Sequence, residues 1–254
     1  MSIVETVYAA EGIAVKLSPY VVGELFGVPI TATLIATWLT MALLIALAFA
    51  VTRRIALVPA GAQNVAEMVI GGAYDYMSNV LESKALAARY FPVVMTIFIF
   101  VLALNWVGLL PGVTAFGNVD ENGNLIPWLY PAATDLNITL AFAIVAFLTI
   151  EFAGVAALGI RRYGGKFINF SSPLAFAIGI IELMSEIARL ISFSFRLFGN
   201  IFAGKTLLVV VMFFAPFIAP IPILAFEMFV GLIQAFIFAI LTLLFIKLAV
   251  AEPH

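Results

Sequence analysis

The chain has 254 residues, of which 65% are hydrophobic and only 10% charged, with a formal net charge of -2 and a mean hydropathy of +1.19. A soluble domain is about half apolar and a quarter charged, so this much apolar surface does not fit inside one water-exposed core, and a multi-span membrane protein with the lipid bilayer as its solvent is expected. The absence of cysteine excludes disulfides, thiolate metal sites and iron–sulfur clusters; the single histidine, His254, excludes a bis-histidine haem subunit; no basic cluster points to nucleic acid, and no cofactor is expected.

Residues 1–29 carry Glu5, Glu11, Lys16 and Glu24 and lack a basic start before an apolar run, so they read as an outer N-terminal segment and not as a cleavable signal peptide. The first span is predicted over 30–51, closed by Arg53 and Arg54. Between 62 and 88, Val65, Met68, Val69, Val80 and Leu81 fit one helical face and Glu67, Asp75, Glu82 and Lys84 the other, which predicts an amphipathic helix at the membrane interface; a solvent loop is the alternative. A second span is predicted over 91–110. The link 111–135 holds Pro111, Pro127, Pro131 and the turn signal Asn122-Gly123, and reads as an exposed loop without Lys or Arg. A third span, 136–160, contains one acid, Glu151, and closes with Arg161, Arg162 and Lys166; Asp135 is placed to cap its N-terminus.

No proline interrupts 173–214. As one helix that segment measures about 60 Å, twice the hydrocarbon thickness of about 30 Å, so it either folds back or lies steeply tilted. Pro216, Pro220 and Pro222 then make a turn, and 223–250 is again too long for one perpendicular span. The expected fold is an all-α membrane protein: roughly upright N-terminal spans and a hairpin of two long, steeply tilted helices, forming a single membrane domain over 1–254. The basic residues gather on one side of the membrane, which places the N-terminus outside and the C-terminus in the cytoplasm or mitochondrial matrix.

Along the long helix Glu182, Glu186, Arg189, Phe193, Arg196 and Asn200 follow spacings of three and four and share one face, flanked by Ser185 and Ser192. Glu186 and Arg189 can pair. Arg196 has only Ser192, Phe193, Gly199 and Asn200 at those spacings, so its anion must come from another helix or another chain, or it must face water. Lys205, about 180° around the helix, looks toward a different partner, and Glu227 of the next helix, with Gln234 two turns on, is the candidate. Such groups can be helix–helix glue, and the contribution of Glu151 alone is equally compatible with snorkelling. Taken together, acids, a base, serines and amides along a bundle read as an ion or proton path governed by a fixed positive charge. A stand-alone secondary transporter and a structural subunit of a respiratory complex fit the same pattern, although no internal repeat supports the transporter.

The stretch FRLFGNIFAG (Phe195 to Gly204) closely resembles the most diagnostic segment of subunit a of the F-type ATP synthases, and ALNWVGLLPG (Ala103 to Gly112), ATDLNITLAFA (Ala133 to Ala143) and LIQAFIFAILTLLFI (Leu232 to Ile246) resemble further segments of that family. The resemblance implies a non-catalytic, proton-translocating stator beside a rotating ring of c subunits, each with one mid-membrane carboxyl, together with b-type peripheral stalk subunits and the remaining ATP synthase subunits, in a bacterial cytoplasmic membrane. It further implies two half-channels. The essential arginine falls on Arg196; Asn200, Lys205, Glu227 and Gln234 match the outer half-channel, Glu182 and Ser185 the cytoplasmic one, and Asp135 and Asn137 the outer mouth. One departure stands out: the family's acid or histidine at position 205 is Lys here, opposite Glu227, so Glu227 is the expected proton relay and Lys205 its modulator.

Overall fold

The computed structural model describes residues 6–10, 13–16, 18–53, 61–110, 112–119, 125–167 and 172–251. Arg54, Pro111, the Asn122-Gly123 turn and His254 lie outside these residues. Seven α-helices dominate the rest: α1 Ala32–Thr52, α2 Ala62–Leu81, α3 Lys84–Val107, α4 Leu136–Leu158, α5 Ile160–Gly165, α6 Pro173–Phe214 and α7 Pro220–Val250. Five of them, α1, α3, α4, α6 and α7, are long and apolar enough to cross a membrane.

Each boundary has a local cause. Thr31, Ser83, Asp135 and Ser172 cap α1, α3, α4 and α6 by accepting a backbone N–H of the first turn. The helix expected over 62–88 is two pieces. α2 stops at Leu81, Glu82 takes a left-handed φ of 53°, and the Ser83 hydroxyl starts α3 at Lys84. The second span therefore begins seven residues before the predicted Phe91 and absorbs Pro92. The polar residues 82–84, counted as the flank of an amphipathic helix, act instead as a stop and a cap. Pro220 and Pro222 also belong to a helix: they occupy the first turn of α7, where a missing N–H costs nothing because that N–H has no intrahelical acceptor.

Small antiparallel hairpins, not anticipated from the sequence, fill the non-helical segments. β1 (Thr6–Ala10) pairs with β2 (Ile13–Lys16), and β3 (Val21–Leu25) with β4 (Val28–Thr31). In the 111–135 link, β5 (Gly117–Val119) pairs with β6 (Leu125–Pro127), with Gly117 opposite Pro127.

α6 runs unbroken for 42 residues. It packs on α4 and α7; α3 and α4 also pack on α7, and α2 and α1 lie against α3. The core of this bundle alternates rings and small residues. Phe193 stacks on Phe238 with ring centroids 4.8 Å apart, while Ala143, Ala146 and Ala153 of α4 are buried and let α4 approach its neighbours closely. Polar links fix the register. Asn105 Nδ2 and Trp106 Nε1 of α3 donate to the Gly231 and Met228 carbonyls of α7 at 3.0 and 3.1 Å, and the hydroxyls of Thr139 and Ser194 join α4 to α6. At the other end of α3, Lys247 of α7 bonds Glu82 at 2.7 Å. The outward faces of α1 and α6 stay apolar and exposed, with Ile45, Phe49, Ile181, Met184 and Phe195 among them, as lipid- or protein-facing surfaces must be.

The continuity of α6 is directly measurable. With no native cysteine in the chain, spin labels at Leu174 and Phe214, both exposed, should read about 60 Å apart by pulsed EPR. A separation near the bilayer thickness of about 30 Å would mean that the segment folds back.

Candidate functional site

The polar residues of α6 fall into three groups along its length. At the end of the bundle beside α5, Lys166 forms an ion pair with Glu182 and reaches Glu186 Oε1 at 3.5 Å. Arg189 closes the network on the other oxygen of Glu186 and lies flat over Phe245 of α7, its Cζ 3.9 Å from the ring centroid. Glu186 is only 3% exposed. Losing both cations would leave a buried charge without a partner, which is strongly destabilising. The Glu186–Arg189 pair was legible from spacing; the contribution of Lys166, folded back from the α5 turn, was not. Glu182, Glu186, Arg189, Tyr163 and Lys166 line a cavity of about 350 Å³.

The second group surrounds Arg196. Its Nη2 donates to Ser192 Oγ at 3.1 Å, one turn earlier on the same helix. No carboxylate of the described residues forms an ion pair with it. Arg196, Ser192 and Ser185 line a recess of about 280 Å³ that also includes Arg189 and Phe245. Those last two residues border the cavity of the first group as well, so the two spaces meet at the stacked guanidinium. Asn200, one turn beyond Arg196, keeps a buried Nδ2 without a hydrogen-bond partner.

The third group sits at the end of the bundle where the β5–β6 hairpin lies. Asn105, Gly204, Lys205, Glu227 and Pro131 line a cavity of about 240 Å³. Lys205 and Glu227 share this cavity, yet no ion pair joins them, which corrects the expectation of a direct interhelix bridge. The Lys205 ammonium lies over the Tyr130 ring, 5.5 Å from its centroid. Burial pushes the Tyr130 hydroxyl up to about 12, so the ring under the cation is neutral and the attraction is to its π-face. Tyr20 packs against Tyr130 with ring centroids 5.2 Å apart. Glu227 is buried, its carboxyl seated on Gly204: a Cβ at that position would overlap the carboxyl group. Gln234, two turns along α7, is buried with Nε2 unpaired, as is Asn105 Oδ1. A buried amide nitrogen of this kind needs an acceptor and a buried amide oxygen a donor, and a water can supply either.

Asp135 and Asn137 stand apart from that cavity. Asp135 Oδ1 accepts the backbone and side-chain N–H of Asn137 at 2.9 and 3.1 Å, and Oδ2 accepts the Thr33 hydroxyl at 2.8 Å. Both oxygens are therefore engaged in starting α4 and holding it to α1. Sequence reasoning missed Asn105, Tyr130 and Gly204. Only Asn105 carried a signal, as an amide within an apolar run.

The family model for the ATP synthase A chain matches residues 34–247, a range that includes all three groups. Similar proteins include ATP synthase subunit a of Moorella thermoacetica, 33% identical over 228 residues that cover 90% of this chain and 94% of the relative. ATP synthase subunit a of Campylobacter fetus is 37% identical over 205 residues, 80% of this chain and 84% of the relative. ATP synthase subunit a 3 of Pelobacter propionicus is 34% identical over 222 residues, covering 86% and 87%. With its five apolar helices and the arginine stretch inside the matched range, this multi-pass membrane chain belongs to the ATP synthase A chain family.

Proposed function

We propose that the chain is the proton-translocating stator subunit of an ATP synthase, itself non-catalytic, and that Arg196 is the fixed charge against which the carboxyls of a rotor ring of c subunits turn. The observation that carries this reading is a guanidinium with no ion pair among the described residues. Arg196 contacts a neutral serine, sits in an apolar helix and borders a recess on the surface of α6. Arginine at mid-membrane is costly, about 3 kcal/mol on insertion scales. An anion arriving from another chain offsets that cost.

The coupling follows from electrostatics. A rotor carboxyl facing lipid stays protonated, because a bare anion there is expensive. Opposite Arg196 the ionised form is favoured and the proton leaves. The guanidinium also repels any proton crossing directly between the two half-channels. Each charge moved gains about 2.3 kcal/mol per 100 mV. In this reading the cavity lined by Lys205 and Glu227, continued along the helices by Gln234 of α7 and Asn200 of α6, is the outer half-channel. Glu227 is its proton relay and Lys205, seated over the Tyr130 ring, its modulator. Asp135 and Asn137 frame the outer mouth as structural supports. Glu182 and Ser185 line the cytoplasmic exit.

The orientation fits the positive-inside tendency: Arg53, Lys84, Arg89, Arg161, Arg162 and Lys166 cluster at the ends of α1, α3 and α4 away from the hairpins. We place that end in the cytoplasm of a bacterial inner membrane and the N-terminus outside. Peripheral stalk subunits of the b type hold the chain still.

Arg196→Ala should abolish proton-driven ATP synthesis in inverted vesicles while the complex still assembles; normal synthesis rates reject the role. Glu227→Gln should lower passive proton conductance through membranes stripped of the water-soluble catalytic head by at least about tenfold. Lys205→Ala should lower it less. Gly204→Val, which pushes the Glu227 carboxyl from its seat, should mimic Glu227→Gln. Native conductance in Glu227→Gln would remove the relay from the outer path.

A further inference from the structure

Glu151 has no part in the scheme above, although it is the only ionisable residue of α4. A carboxyl at this depth in an apolar helix is expensive and is retained where it pairs or handles ions. Its neighbours are specific. Tyr163 and Lys166 from the α5 turn and Glu186 and Arg189 from α6 lie close enough to interact with it electrostatically. α7 contributes Phe245, Leu248 and Ala249 to the adjoining cavity, none of which titrates.

The two carboxyls of this cluster differ in their bonding. Both oxygens of Glu186 are held, one by Lys166 and one by Arg189. That group is held between two cations. Glu151 forms no ion pair among the described residues, and its Oε1 is buried without a hydrogen-bond partner. The Tyr163 hydroxyl is likewise buried, and it stands close enough to the Glu151 carboxyl to interact with it. Burial, reinforced by the charge of Glu151, pushes that phenol above its ordinary range, so it remains a neutral O–H. Tyr163 also borders the cavity that holds Glu182. Its position is built: the ring lies against Gly154, three residues from Glu151 on the same helix, and a Cβ at 154 would overlap it. The glycine thus seats a phenol between the Glu151 carboxyl and a polar cavity.

We propose that Glu151 is a proton-exchanging carboxyl of the cytoplasmic half-channel, with Tyr163 as the cover between it and the Glu182 cavity. The inference rests on the stator reading given above. A proton carried by water in the cavity adds to the Glu151 carboxylate, and the same O–H bond later breaks to return the proton to water on the cytoplasmic side. No other bond changes and no electron moves. The two ion pairs of Glu186 keep both of its oxygens engaged, which leaves Glu151 as the carboxyl of the cluster without an ion pair among the described residues.

The test is passive proton conductance in membranes that carry the complete membrane sector, with the catalytic head removed. Glu151→Gln should lower conductance roughly tenfold and flatten its dependence on cytoplasmic pH, with complex abundance unchanged. Glu151→Asp should recover most of the flow. Conductance and a pH profile equal to native in Glu151→Gln overturn the proposal. Should Glu151→Gln fail to assemble, the intact native complex serves: a water-soluble carbodiimide applied from the cytoplasmic face should modify Glu151 as well as Glu182, read by peptide mass spectrometry. Glu182 modified and Glu151 untouched refutes the assignment. Arg196→Ala separates the two levels. If it uncouples the enzyme while Glu151→Gln is silent, only the role of Glu151 falls; if it leaves coupling intact, the stator reading falls with it.

Discussion

The organisation of this protein depends on one uncompensated charge. A guanidinium in a hydrocarbon setting needs an anion, water or a route to the interface. Arg196 is far from either end of α6. The acids of its own helix are already committed: Glu182 to Lys166, and Glu186 to Lys166 and Arg189. What remains is the Ser192 hydroxyl, a neutral acceptor. Lys205 lies over the Tyr130 ring and Lys247 pairs with Glu82, whereas Arg196 pairs with no carboxylate among the described residues.

The rest of the fold holds α6 in place so that this charge stays available. A 42-residue helix without proline is long and exposes many apolar side chains on one side. Its other side is fixed by α4 and α7 through Phe193, Leu197 and Ile201. α7 is in turn pinned by Asn105 and Trp106, side chains that donate to its backbone carbonyls. Glycines decide where the two long helices come closest. Gly204 admits the Glu227 carboxyl and Gly231 admits Asn105. Polar groups in the third cavity are thereby packed between helices and do not face lipid.

Much of this was legible in the sequence, because hydropathy and helical spacing are one-dimensional signals. The five spans, the shared face from Glu182 to Asn200 and the Glu186–Arg189 pair all follow from counting residues. The break at Glu82 and Ser83 was harder to see, since polar residues in an amphipathic pattern look alike whether they continue a helix or cap a new one. Lys205 and Glu227 appeared matched by charge, yet the ring of Tyr130, far off in sequence, takes the ammonium. The roles of Lys166, Tyr163 and Gly204 depend on chain reversals and on how closely two helices approach. Neither quantity is written in local periodicity. The short hairpins of the N-terminal segment and of the 111–135 link rest on pairings of only three to five residues, too brief for alternation to register.

The central claim is that the partner of Arg196 belongs to another, moving chain, and a density map of the assembled complex tests it most directly. The account predicts the Arg196 side chain turned toward a ring of helices, with its nitrogens within about 4 Å of one rotor carboxyl. A guanidinium paired with an acid of its own polypeptide, or directed at lipid away from any ring, contradicts it.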